Sequence, residues 1–169
     1  ESWSLPGGAF YGTGDCEMKL AMLFPGQGSQ YPDMLLDLIC QFPQLQRSLG
    51  DADSLFNDSG SKEQLSKIIY PIPVFTEAQR KEHSDHLRNT QYAQPAIGAV
   101  SLGAYRILNY FGINPDVTAG HSFGELTALY AAGRIKAEDM LRLAIKRGEL
   151  MRSSDEDKGA MLAVSAEAS

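Results

Sequence analysis

Cysteine is nearly absent from this chain: Cys16 and Cys40 are the only two among 169 residues. Two thiols cannot staple a chain of this length, so a disulfide-built scaffold is excluded and a reduced, cytosolic setting is expected. Long apolar runs are missing too. None approaches the roughly 18 residues needed to cross a bilayer, so no helical membrane span is expected. Glu1 to Tyr11 lack the basic stretch and apolar stretch of a secretory signal. Positive charge is in deficit, with 15 Lys and Arg against 21 Asp and Glu and a net charge of -6. Without a basic stripe, nucleic acid is not an expected partner. Histidine is scarce as well. His83, His86 and His121 are the only three, which restricts where an imidazole base or metal ligand can stand. There is no internal repeat and no low-complexity tract.

What is present is ordinary globular material, 43% apolar and 21% charged, enough for a sizeable core in one domain or part of one. The opening Glu, in place of Met, reads as a chain excised from something longer. Residues 1 to 18 are rich in Gly, Ser and Pro and read as an irregular linker. Lys19 to Phe24 is a short apolar run closed by Pro25-Gly26, as a buried strand would be. Asp33 to Cys40 has helical spacing with Asp33 as a cap. From Phe42 to Tyr70 short helices and polar breaks are expected to alternate. Pro71 and Pro73 demand an extended stretch up to Phe75. Thr76 caps a polar, exposed helix running to Arg88.

Thr90 to Phe111 is the longest amphipathic segment. Ala93, Ile97, Val100, Ala104, Ile107, Leu108 and Phe111 share one face, and Gly112 serves as the stop. Asp116 to Ala119 reads as a strand, Glu125 to Ala132 as a helix stopped by Gly133, and Ala137 to Met151 as another helix. Gly159 to Val164 opens a new strand five residues before the end, which reads as an incomplete unit. Alternating strands and helices predict an α/β fold, a mostly parallel sheet flanked by helices.

Gly120-His121-Ser122-Phe123-Gly124 is a G-x-S-x-G sequence between an expected strand and an expected helix, and that context gives the pattern its meaning. So tight a turn admits only glycine at its flanks. It holds the Ser122 hydroxyl at the carboxyl edge of the sheet, facing the free N–H groups of the next helix. A developing oxyanion would be stabilised there. A serine nucleophile also needs a base. In elbow order the acid and histidine follow the serine, yet no histidine follows Ser122. The His121 side chain is expected to diverge from Ser122. His83 and His86, on a polar helix with Lys81, Glu82 and Asp85, read as solvated, and no further ligand set accompanies them, so no metal site is expected.

Pro25-Gly-Gln-Gly-Ser-Gln30 lacks the Gly-Lys-Ser/Thr ending of a phosphate loop. It is either a plain connecting turn or a polar lip that brings Gln27 to the strand ends, where ligands bind in open α/β sheets. Sequence barely separates the two. Arg147 is equally open. A guanidinium fork suits a carboxylate, but a solvated helix position fits too, and Leu143, Ile145 and Leu150 do not settle its face.

Four motifs stand in a fixed order: Phe24-Pro-Gly-Gln-Gly-Ser-Gln-Tyr31, Tyr92-Ala-Gln-Pro-Ala-Ile97, Ala119-Gly-His-Ser-Phe-Gly-Glu125 and Lys146-Arg-Gly-Glu-Leu-Met151. Over residues 19 to 169 the chain resembles the malonyl-CoA:acyl-carrier-protein transacylase family, the acyltransferase domains of fatty acid and polyketide synthases. Ile69-Tyr-Pro-Ile-Pro-Val-Phe-Thr76 is most similar to iterative synthases of the polyunsaturated fatty acid, enediyne and heterocyst-glycolipid types. Ala9-Phe-Tyr-Gly12 resembles their linker from the ketosynthase.

The resemblance implies a hydrolase-like large subdomain over 19–158 and an inserted ferredoxin-like small subdomain beginning at 159–169. It implies Ser122 as the acylated nucleophile and Gln27 with the Phe123 N–H as the oxyanion hole. Arg147 would be the partner of the malonyl carboxylate, Gln94 a pocket residue and His121 the elbow histidine. Substrate and acceptor would be a coenzyme A thioester and the phosphopantetheine of an acyl carrier protein, with no permanently bound cofactor and a ketosynthase as neighbouring domain. The family's catalytic histidine follows the inserted subdomain and is not in this sequence. Three readings stand: an acyltransferase, a serine hydrolase using the same elbow, and a non-catalytic docking fragment.

Overall fold

The computed structural model describes residues 3–4, 10–11 and 19–152. Strands β1 (Trp3–Ser4) and β2 (Phe10–Tyr11) form an antiparallel ladder pairing Trp3 with Tyr11 and Ser4 with Phe10. It falls within the stretch read as an irregular linker. Strand β3 (Ala21–Phe24) follows, as the apolar run predicts. It is not buried on both faces: Phe24 is in the core but Leu23 is 76% exposed.

Helix α1 spans Leu36–Gln41. Asp33 does not cap it. Asp33 and Leu35 take left-handed backbone, φ 63° and 54°, and Leu35 precedes the helix with no side-chain cap. Tertiary hydrogen bonds hold this turn instead. The Asp33 N–H donates to the Ile69 carbonyl and the Tyr70 hydroxyl donates to the Met34 carbonyl, both at 2.8 Å.

Helix α2 (Pro43–Asp58) is one unbroken rod where alternating pieces are expected. Pro43 sits in its first turn, where the missing N–H does no harm. Leu45, Leu49, Ala52 and Phe56 form a buried stripe, while Gly50, Asp51 and Ser54 face solvent. Those polar breaks are merely the wet side of the helix. Helix α3 (Leu65–Ile69) begins where Asp53 accepts from both the N–H and the hydroxyl of Ser66, at 2.8 and 2.5 Å. Residues 71–74 carry no regular element, as their prolines require. Helix α4 (Glu77–Arg88) is capped by Thr76, whose hydroxyl accepts from the Gln79 N–H.

Helix α5 (Thr90–Tyr110) is the spine. From Ala93 to Val100 every side is buried, so its first half is a central rod and not an amphipathic surface helix. Gly103 lets α2 press in, because a Cβ there would lie 2.9 Å from the Leu45 Cα. Strand β4 (Val117–Gly120) pairs in parallel with β3, Ala21 opposite Val117 and Phe24 opposite Gly120. Helices α6 (Gly124–Ala131) and α7 (Ala137–Leu150) complete the described residues. The main core lies among α2, α3, α4, α5 and α7, with Leu45, Leu65, Ile69, Leu87, Leu102, Met140 and Leu141 buried. Each such side chain contributes about 1.5–3 kcal/mol. The expected strand at 159–164 and the small subdomain it would open lie outside the described residues.

Candidate active site

Two parallel strands end side by side, and a glycine-rich turn leaves each. After β4 the chain reverses within four residues. The His121 N–H donates to the Phe24 carbonyl at 3.1 Å, extending the pairing by one step. Ser122 then adopts φ 52°, left-handed backbone that a non-glycine residue occupies only when its surroundings impose it. Phe123 is fully buried against Ile97 and Ala144, anchoring the turn to α5 and α7. A Cβ at Gly120 would strike the Gly124 carbonyl group, and one at Gly124 would strike the Phe24 carbonyl oxygen. Ser122 itself is exposed. Gly124, Glu125 and Leu126 donate their N–H groups to carbonyls three residues back. The Phe123 N–H, beside Ser122, has no such acceptor among the described residues.

Arg147, left open by the sequence, turns inward. Its Nη2 donates to Ser122 Oγ at 3.4 Å, and its Nη1 is buried with no hydrogen-bond partner among the described residues. Leu143 and Leu150, by contrast, are 47% and 72% exposed. The spacing in the sequence allows this face without choosing it. Met140, Ala144 and Gly148 recur at helical spacing along the buried side of α7, and Arg147 borders that stripe.

Gln27 lies in the turn after β3, and its amide is held at both ends. Nε2 of the fully buried Gln94 donates to Gln27 Oε1, and Gln27 Nε2 donates to Thr90 Oγ1, both at 3.1 Å. Gln94 Nε2 also faces Met151 Sδ at 3.5 Å, while Gln94 Oε1 has no partner among the described residues. Thr90 and Met151 were not singled out by sequence. Thr90 lies one helical turn before Gln94 on the same face, and Met151 one turn after Arg147. Within the turn, the Gly28 N–H donates to Gln30 Oε1 at 2.7 Å.

The structure brings together Ser122, Arg147 and the Phe123 N–H, and separately ties Gln27 to Gln94. The His121 ring lies against Gly26. Among the described residues the Ser122 hydroxyl is hydrogen-bonded to Arg147 and to no histidine. His86 approaches Glu63 at 3.4 Å and lies against Tyr92, with ring centroids 4.7 Å apart and the rings tilted by 41°. Burial raises the Tyr92 phenol above its ordinary pKa, and the hydrogen bond to Glu63 adds to the rise.

A strained serine between two packed glycines, beside an inward arginine, is the arrangement to set against known proteins. Residues 21–169 match the family described as the acyl transferase domain. The chain belongs to this acyl transferase family. It is 34% identical to a polyunsaturated fatty acid synthase of Thraustochytrium sp., over 97% of this chain and 6% of that protein. It is 36% identical to the malonyl CoA-acyl carrier protein transacylase of Bacillus subtilis, over 86% of this chain and 42% of that protein. The solved acyl carrier protein S-malonyltransferase of Vibrio cholerae superposes with a TM-score of 0.66 at 33% identity, over 79% of this chain and 39% of that one. The acyl transferase chain thus spans less than half the length of each. Its α/β architecture, helix-rich around a parallel sheet, is that of the solved malonyltransferase. Among the described residues no helix is long and apolar enough to cross a membrane.

Proposed function

We propose that this chain carries the nucleophile-bearing part of an acyltransferase that moves a malonyl-type group from coenzyme A to the phosphopantetheine thiol of an acyl carrier protein, in fatty acid or polyketide synthesis. Ser122 Oγ attacks the thioester carbonyl, the C–S bond breaks, and coenzyme A leaves as its thiol with the serine proton. The carrier thiol then attacks the seryl ester and Ser122 regains its proton. The Phe123 N–H and Gln27 stabilise the oxyanion in both steps, and Gln94 lines the pocket. His121 belongs to the elbow. The proton acceptor is a group beyond residues 19–152, since no described histidine reaches Ser122. A ketosynthase domain is the expected neighbour.

The observation that carries this reading is Arg147. Its Nη2 meets Ser122 Oγ while its Nη1 is buried without a partner among the described residues. Such a donor costs free energy until an acceptor arrives, and a carboxylate beside Ser122 would satisfy the guanidinium fork. A simple ester hydrolase has no use for a cation there. The test is intact-protein mass after incubation with malonyl-CoA. One malonyl group is expected on Ser122 and none on Ser122→Ala. Labelling that survives the substitution removes Ser122 from its role.

A further inference from the structure

Thr90 touches both halves of the site. Its hydroxyl accepts the Gln27 Nε2–H at 3.1 Å. Its carbonyl packs against α7: a Cβ on Gly148 would be 2.8 Å from it, and Gly148 adjoins Arg147. We propose that Thr90 is a positioning residue for acyl transfer, holding Gln27 in its working pose from the first residue of α5. The inference rests on the reading of Ser122 and Gln27 given above.

Gln27 is exposed and precedes Gly28, which sits at φ 107° in open space, so the backbone on that side restrains it weakly. What restrains it is the pair of side-chain bonds, Gln94 on its oxygen and Thr90 on its nitrogen. The two bonds demand opposite chemistry, a donor from Gln94 and an acceptor from Thr90. Together they set which way the amide faces and leave one Nε2–H unused. They also tie the Gln27 turn to α5, whose first half is buried on every side. Valine has the shape of threonine but no acceptor. Serine keeps the acceptor and loses only a methyl.

The test uses the intact protein carrying this chain and measures malonyl transfer to a carrier phosphopantetheine. Thr90→Val is expected to lower kcat about tenfold with KM for malonyl-CoA held within about twofold, because a misplaced oxyanion group is felt in the transition state and not in ground-state binding. Thr90→Ser is expected to restore kcat to within about twofold of the parent. In a Gln27→Ala background, Thr90→Val should cost less than about twofold, since the group it positions is gone. Thr90→Ala replaces Thr90→Val if the latter does not fold. An unchanged kcat in Thr90→Val overturns the proposal. So does a Thr90→Ser as impaired as Thr90→Val, or a Thr90→Val effect undiminished without Gln27. Malonyl labelling of Ser122, read separately by mass, reports on the underlying reading, so its failure is seen apart from that of Thr90.

Discussion

The turns that follow β3 and β4 leave adjacent parallel strands at the same edge, and both are rich in glycine, yet they are held by different forces. The Gly120–Gly124 turn is held by packing. Phe123 is fully buried, and both flanking glycines lie where a single methyl would strike backbone. The Pro25–Gln30 turn is packed only at its start, where a Cβ on Gly26 would strike the His121 carbonyl oxygen, and from Gln27 onward it is held by polar side chains. Gly28 has open space around its Cα at φ 107°, and Gln27, Ser29 and Gln30 bind Thr90, Gly26 and Gly28. Packed backbone keeps Ser122 in a strained conformation that a nucleophile can exploit. Hydrogen bonds to side chains give way more easily, as the proposed role of Gln27 beside a substrate would require.

The comparison predicts unequal responses to the same substitution. Gly124→Ala sets a methyl against the Phe24 carbonyl, which cannot move without breaking the β3–β4 pairing. A loss of about 3 kcal/mol in urea unfolding of the intact protein is expected, with acylation of Ser122 abolished. A loss under about 0.5 kcal/mol would mean the elbow is not locked by packing.

Next in size is Arg147→Ala. A desolvated bidentate contact to carboxylate is worth roughly 2–5 kcal/mol. Malonyl transfer should therefore fall by about 10² in kcat/KM, while acetyl transfer falls little or rises. An unchanged malonyl-to-acetyl ratio in a folded variant would leave Arg147 a mere structural neighbour of Ser122.

Gly28→Ala should cost only about 1 kcal/mol, the strain of a side chain at positive φ with nothing to strike. A cost equal to that of Gly124→Ala would erase the distinction between the two turns.

The smallest effect concerns the tether behind the lip. The Tyr70 phenol is pushed up to about 12, chiefly by burial and then by Asp33, Cys40 and Tyr31. A raised folded-state pKa means stability is intact below pH 10 and is lost as pH rises toward 12. Tyr70→Phe should flatten thermal stability across that window, at a neutral-pH cost of about 1 kcal/mol for the lost bond to Met34. A variant whose alkaline decline matches the parent would mean Tyr70 does not drive it.

Local chemistry made much of this molecule legible without coordinates. The caps at Thr76 and Gly112, the prolines at 71 and 73, and the strand–turn–helix around Ser122 all act within a few residues of themselves, so a linear reading captures them. Where the reading missed, long-range contacts were responsible. Helix α2 runs through its apparent breaks because α5 buries its other side. Asp33 is left-handed because Ile69 and Tyr70 hold its turn. Ser122 and the order of the four motifs were evident from sequence, because a sharp elbow has so few chemical solutions. The inward face of Arg147, the two-ended grip on Gln27 and the place of Thr90 were decided by tertiary structure. Each depends on how α5, α7 and the strand-end turns meet, and residues 25 to 67 positions apart in the chain become neighbours only when the core has closed.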